Sequence, residues 1–455
     1  MKKLLENFLV IGLHGRTTVK ARISDNTLII VGENGSGKTT FLRILFHFLS
    51  GRWLQLVQFK FDSISATIAG IEYKITHEEL VKAFKVVDRR ILSEIPPVLR
   101  RRVMELMENG EIHKISSMYD KYGSHYHIPS EELLRQLEFF DESSKGPKKD
   151  LQENISKIQK AINAQVLYLP TYRRIERELN SIFEGADTED IRKNRARIRQ
   201  PDNGDAFIEL VEFGMKDVQQ AVDRTLERLK EFARESLNNL TLRYLGDVVN
   251  QEYQNVGMKE ISDVSEETVR AVLNRIHDSI LTKIHKDHLF GVINSARSAD
   301  APSEHEKIIY HYFLKLLGFQ ESLQDKERQI TEFCSLCSEY IIDKSFVYDS
   351  PTFTFRIIPR DMSRSEKDIE LGDLSSGEKQ IVSLFSHLYL SGQQNFFVLI
   401  DEPELSLSVP WQRRFLVDIR NGKFCKGLVA VTHSPFIYDN ELRPYAHSLG
   451  EFVSV

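Results

Sequence analysis

Three short, uninterrupted apolar runs stand out along the chain, at residues 28–31 (Leu-Ile-Ile-Val), 396–400 (Phe-Phe-Val-Leu-Ile) and 428–431 (Leu-Val-Ala-Val). Runs of this length without polar interruption predict strands buried on both faces, as in a parallel sheet. Helical periodicity follows at 40–49 and 381–390. Apolar and polar residues alternate over 57–64 and 71–75 around the turn-like Ala69-Gly70, which predicts an antiparallel pair. Helical segments are expected over 77–106, interrupted at Pro96-Pro97, and over 131–140, with an exposed loop at 143–149. Strand character returns at 164–169 and stops at Pro170. From Ile208 onward, Val211, Met215, Val218, Val222, Leu226, Leu229, Ala233, Leu237 and Leu240 recur at steps of three and four, a coiled-coil-like stripe. Val269, Val272, Ile276, Ile280 and Ile284 form a second stripe that could pair with it, as a projecting hairpin or as core helices of a bundle.

Composition changes this picture little. The 455 residues exceed what one core organises, and 41% hydrophobic with 28% charged is ordinary globular usage. No run approaches the roughly 18 apolar residues of a bilayer span, and Met1-Lys2-Lys3 leads into alternation rather than a secretory segment, so a cytoplasmic protein is expected. Three cysteines make no disulfide framework; Cys334 and Cys337, although spaced CxxC, read as incidental helical residues. A net charge of -5 disfavours bulk attraction to nucleic acid. The basic run of Arg192, Lys193, Arg195, Arg197 and Arg199 is either a solvated loop or a contact for an acidic partner.

The candidate chemistry lies where the apolar runs end. The first run opens into Gly32-Glu33-Asn34-Gly35-Ser36-Gly37-Lys38-Thr39, followed by Thr40. Glycines here let successive backbone N–H groups curl around a phosphate, Lys38 adds a cation at the β/γ-phosphates, and the Thr39 hydroxyl can reach Mg²⁺. The second run ends in Asp401-Glu402, two carboxylates at the edge of a parallel strand. Asp401 suits Mg²⁺ and Glu402 suits the base that polarises an attacking water, so ATP and Mg²⁺ are the expected ligands. The third run ends in Thr432-His433-Ser434-Pro435.

Between the first two runs, Leu374-Ser375-Ser376-Gly377-Glu378-Lys379-Gln380 resembles the signature motif of ABC-type ATPases, with Ser376 and Glu378 departing from its commonest form. A Ser hydroxyl and Gly amides at a helix N-terminus can hold a γ-phosphate. The resemblance implies that His433 is a switch histidine and that residues 404–412 occupy the D-loop position. It also implies that strand 164–169 precedes a Q-loop, for which the chain offers no glutamine. In that family two heads sandwich two nucleotides, so Ser375, Ser376, Gly377 and Glu378 of one chain are expected to face the phosphate loop of another, giving at least a homodimer.

The motifs together resemble the AAA15/AAA21 group, which includes overcoming-lysogenization-defect nucleases and the ATPases of the PARIS and Septu antiphage systems. This implies an α/β ABC-type P-loop head with a large inserted helical lobe. Residues 1–80 and 346–455 would be the two head halves, with 161–180 a head strand between helical insertions at 81–160 and 181–345. The resemblance further implies a sensor and scaffold that holds a separately encoded effector nuclease, Toprim-type if PARIS-like and HNH if Septu-like, with a viral trigger protein. After His433 the chain is too short for a nuclease domain, so no nuclease activity of its own is expected. A DNA-repair ATPase resembling RecF, clamping DNA in an ATP-dependent way, is the alternative.

Overall fold

A computed structural model describes residues 3–33, 35–84, 103, 106, 147–170, 207–209, 215–255, 264–275, 282–295, 303–361, 368–405 and 407–454. The chain divides into two compact units, Met1–Glu212 with Gln393–Val455, and Phe213–Gly392.

In chain order the first unit begins with strands β1 (Leu5–Leu13), β2 (Thr17–Arg22) and β3 (Thr27–Val31), followed by helices α1 (Lys38–Ser50) and α2 (Trp53–Leu56). Strands β4 (Ser63–Ile68) and β5 (Ile71–Thr76), helices α3 (His77–Phe84) and α4 (Pro147–Ile162), and strands β6 (Gln165–Leu169) and β7 (Phe207–Glu209) follow. The second unit holds α5 (Met215–Val249), α6 (Glu266–Asn274), α7 (Lys283–Ser295), α8 (Glu304–Tyr340), the hairpin β8 (Lys344–Asp349) and β9 (Thr354–Pro359), and α9 (Ser376–Leu390). The chain then returns to the first unit with β10 (Phe396–Asp401), α10 (Val409–Asn421), β11 (Cys425–Thr432), α11 (Pro435–Tyr438), β12 (Ala446–Ser448) and β13 (Val453–Ser454).

The three apolar runs become neighbours in a six-stranded parallel sheet of order β12-β3-β11-β10-β6-β7. Every residue of β10 is buried, and so are all but one of β3 and all but one of β11, because helices or a second sheet cover both faces. The second sheet is antiparallel, of order β13-β2-β1-β4-β5, and β1 alternates between buried and half-buried positions. Helix α1 lies between the sheets: Phe8 of β1 meets Phe41 and Phe48 edge-on at 5.6 and 5.7 Å, while Leu399, Val429 and Val431 of the parallel sheet join the same core. Each such ring, fully buried, contributes about 1.5–3 kcal/mol. Gly51 ends α1 in a left-handed turn at φ 70°, with Arg52 N–H donating to His47 O at 2.9 Å. A Cβ there would lie 2.4 Å from the Ile155 side chain of α4, so both the backbone angle and the close approach require glycine.

The structure departs from the sequence pattern in three places. The expected strand over 57–64 begins only at Ser63, because Trp53, Leu54, Leu56 and Val57 are all buried and bonded helically, Val57 N–H to Trp53 O at 2.9 Å. Consecutive burial cannot be met by a strand with one solvent face. Of the expected loop at 143–149, residues 147–149 are helical, with Pro147 the first residue of α4, where a missing N–H costs a helix nothing, and residues 143–146 lie outside the described residues. In the apolar stripe starting at Ile208, Ile208 itself pairs with Leu167 in β7 and the residues from Met215 onward are helical, while Val211 lies outside the described residues.

In the second unit α5, α8 and α9 pack pairwise, a bundle rather than a projecting hairpin. The stripe residues Val218, Val222, Leu226, Leu229, Ala233 and Leu240 are buried, whereas Leu237 is exposed. The principal partner of α5 is α8 rather than the second stripe: Val269 and Val272 lie in α6, Ile284 in α7 is 79% exposed, and Ile276 and Ile280 lie outside the described residues. The 37-residue α8 offers a longer apolar face and opens with a capping box between Ser303 and Glu306. Cys334 and Cys337 are buried in it, and burial pushes the Cys334 thiol up to about 12 and the Cys337 thiol well above its usual value. Burial therefore favours the neutral thiol at both.

Candidate functional site

The first unit gathers the phosphate loop, the paired carboxylates and the histidine at the carboxyl ends of β3, β10 and β11, which are adjacent in the sheet. Open parallel sheets bind ligands at this edge. Gly37, at φ 93°, turns the loop into α1 in a conformation other residues rarely adopt. The first turn of α1 then presents its N–H groups and the positive end of its dipole. Gly32, Gly35 and Ser36 lie in the loop before the helix and Lys38, Thr39 and Thr40 in its first turn, while Asn34 and the basic run 192–199 lie outside the described residues.

Lys38 is buried at 4% exposure. Its ammonium donates to Gly32 O at 2.9 Å and Glu33 O at 2.8 Å and lies 3.1 Å from His433 Nε2. Desolvation lowers its pKa, against the opposing pull of Glu402, Asp401 and Glu404. The Thr39 hydroxyl donates to Asp401 Oδ1 at 3.0 Å, joining the phosphate loop to the end of β10. A hydroxyl and a carboxylate oxygen so close are hard donors of the type Mg²⁺ takes. Among the described residues no group of three or more His, Cys, Asp or Glu side chains is placed to hold a metal ion.

Glu402 sits just past the strand at φ 49°, a left-handed conformation uncommon for a side-chain-bearing residue. Its N–H donates to Val431 O at 2.9 Å, and its Oε1 lies 3.4 Å from His433 Nε2. The imidazole therefore stands between the Lys38 ammonium and the Glu402 carboxylate.

The signature residues lie in the second unit, at the start of α9. Ser375 caps the helix: its hydroxyl accepts from Glu378 N–H at 3.4 Å, and its own N–H donates to Glu378 Oε2 at 2.7 Å. Ser375 and Ser376 are exposed, Gly377 is half-buried, and Glu378 is buried. The other Glu378 oxygen receives Lys344 Nζ of β8 at 2.9 Å. Burial acts to raise the Glu378 pKa, but the hydrogen bonds from Lys344 and Ser375 prevail and hold it below the ordinary carboxylate value. The Glu378 departure from the commoner glutamine thus comes with its own cation.

Three participants had no signal in the sequence pattern. Lys344 stands 34 residues from Glu378, and its role appears only when β8 is beside α9. Glu404, read only as part of a loop, accepts from the Thr432 hydroxyl and from His433 N–H, both at 2.7 Å. Gln412 of α10 accepts from the Ser434 hydroxyl at 2.7 Å.

The AAA_15 family model, described as an AAA ATPase domain, matches residues 14–438. No curated protein matches the chain. A similar solved structure is the Smc head domain of Pyrococcus furiosus, with an extended coiled coil and bound to the C-terminal domain of ScpA. It has 13% identity and a TM-score of 0.35, over 96% of this chain and 91% of that one. The family match spans both ends of the phosphate-site machinery, from before Gly32 to beyond His433, and the chain belongs to the AAA_15 family of ATPase domains.

Proposed function

We propose that this protein is an ATP-hydrolysing sensor and scaffold that oligomerises through its heads and holds or releases a separately encoded effector nuclease in antiviral defence. The observation that carries the nucleotide chemistry is the convergence of Lys38, Thr39, Asp401, Glu402 and His433 at one sheet edge. Lys38 and the α1 amides would bind the β- and γ-phosphates. Thr39 and Asp401 would hold Mg²⁺, which when bound neutralises charge on the phosphate oxygens. Glu402 would take the proton of the attacking water, with His433 orienting it.

Head pairing is supported by the exposure of Ser375 and Ser376 at the start of α9, where helix amides and hydroxyls can meet the γ-phosphate of a second chain. Loss of that phosphate would release the pair, so the interface is the two-state element. The defence role and the effector rest on resemblance to the antiphage ATPases. No helix among the described residues is long and apolar enough to cross a membrane.

The test is affinity purification of Glu402→Gln from the native gene neighbourhood, in ATP, with mass spectrometry and a nucleic-acid assay. The variant should bind ATP, hydrolyse it far more slowly, and bring down a stoichiometric nuclease. Bound DNA without a protein partner would replace this reading with a DNA clamp, and normal hydrolysis would remove Glu402 from its role.

A further inference from the structure

The His433 imidazole is placed by the main chain that leaves β11, and the Glu404 carboxylate takes three hydrogen bonds from that segment. Glu404 Oε1 accepts from His433 N–H at 2.7 Å and from Ser434 N–H at 3.2 Å, and Glu404 Oε2 accepts from the Thr432 hydroxyl at 2.7 Å. Thr432 is fully buried, and its hydroxyl oxygen also accepts from Ser434 N–H at 3.0 Å. A second link runs the same way: the Ser434 hydroxyl donates to Gln412 Oε1 at 2.7 Å, and Gln412 Nε2 donates to Leu407 O at 2.9 Å and Glu404 O at 3.4 Å. Glu404 and Leu407 are therefore linked to the segment 432–434 through the side chains of Glu404 and Gln412. The left-handed turn at Glu402 is what brings Glu404 beneath the end of β11, only two residues beyond the candidate base.

We propose that Glu404 is a positioning residue for hydrolysis, which fixes the His433 imidazole against Lys38 and Glu402 and makes its position follow Glu404. The inference rests on the ATPase reading. A side-chain oxygen accepting two adjacent backbone N–H bonds sets the main-chain direction at His433. With the main chain so held, the imidazole Nε2 stands 3.1 Å from Lys38 Nζ and 3.4 Å from Glu402 Oε1. Displacement by about 1 Å at such a site costs on the order of a hundredfold in rate. Glu404 acts through the His433 segment and only by its charge on Lys38, so its loss acts on turnover far more than on binding.

The test compares Glu404→Ala and Glu404→Gln in the full chain. The alanine variant should lose roughly 10- to 100-fold in kcat while its ATP dissociation constant stays within about threefold. The glutamine variant keeps one oxygen for the two N–H groups, while its N–H₂ can only donate to the Thr432 oxygen, reversing that bond, and should recover much of the rate. Ring ¹⁵N signals of labelled histidine, with His433 assigned through His433→Gln, supply a readout independent of turnover: the His433 signal should shift in the alanine variant and return in the glutamine variant. An unchanged His433 signal and unchanged kcat in Glu404→Ala would overturn the inference, as would parallel loss of ATP affinity and melting temperature. A wild-type chain that binds ATP without hydrolysing it, yet shows the His433 shift on Glu404→Ala, would refute the catalytic reading and leave the clamp standing as a structural device only.

Discussion

Replacing Lys344 by methionine isolates the support under the signature helix. Methionine keeps an unbranched apolar stem of similar reach and removes the ammonium, leaving Glu378 without its cation. The pair is 2.9 Å apart, with side chains 15% and 11% exposed. At that distance and an effective dielectric of about 20 the direct attraction is roughly 6 kcal/mol, and desolvation of both ions cancels much of it. Ser375 N–H still satisfies the other Glu378 oxygen, so a net loss of about 1–3 kcal/mol is expected at the start of α9. This corresponds to amide exchange faster by about five- to 150-fold where α9 opens locally. Hydrogen exchange read by mass spectrometry on peptides covering α9 measures it, and a cycle with Glu378→Gln gives the coupling. The pH dependence has a definite sign. Glu378 has a lowered pKa in the folded protein, so its contribution is complete above the unfolded carboxylate value of about 4.3 and is lost as pH falls through the lower folded value. Burial opposes the charge on Lys344, but the Glu378 and Asp343 hydrogen bonds raise its pKa overall, so its contribution is complete below about 10.4 and is lost above the folded value. The effect of the substitution should therefore be full at neutral pH and shrink in acid below about pH 4. A coupling under about 0.3 kcal/mol, or a loss equally large at pH 3, would refute the reasoning.

Three further outcomes follow from the geometry. Lys38→Ala removes the cation that faces Gly32 O, Glu33 O and His433, and should abolish ATP binding in a fluorescent-nucleotide titration while the melting temperature changes little. Gly51→Ala must adopt φ near 70° and displace Ile155; about 1–2 kcal/mol of backbone strain and about 1–3 kcal/mol of overpacking should lower first-unit stability by about 2–5 kcal/mol, with part of the steric share recovered by Ile155→Ala. Cys334 and Cys337, buried with raised pKa values, should resist thiol reagents at pH 8 until denaturant is added; prompt labelling of either would show that α8 opens readily.

The parallel sheet and its loops were legible in the chain because local chemistry dictates them. Uninterrupted apolar residues at 28–31, 396–400 and 428–431 suit only strands covered on both faces, and a Gly-rich loop entering a helix suits only a phosphate-sized anion. Residues placed by contiguous motif, Lys38, Thr39, Asp401, Glu402 and His433, could accordingly be named from the sequence, and they meet at one edge. The helical lobe was less legible, because a three-and-four stripe reports that a helix has an apolar face without naming what covers it. Val218 to Leu240 found α8 as their principal partner, a choice made by which surface is longest and nearest once the chain has turned back. Val57 read as the start of an alternation and instead closes the helical turn that begins at Trp53, since burial on every side, a tertiary condition, removes the reason for alternating.

What the sequence determined by itself is thus the set of elements and the chemical groups at their ends, both written in neighbouring residues. What only the tertiary structure decided are the pairings between distant side chains: Lys344 with Glu378, Glu404 with Thr432 and His433, Gln412 with Ser434. A hydrogen bond is made or lost within about an ångström. No periodicity or spacing encodes a distance between residues that far apart in the chain, so these contacts exist only once the sheet order has brought β11 beside β10 and β8 has been laid beside α9.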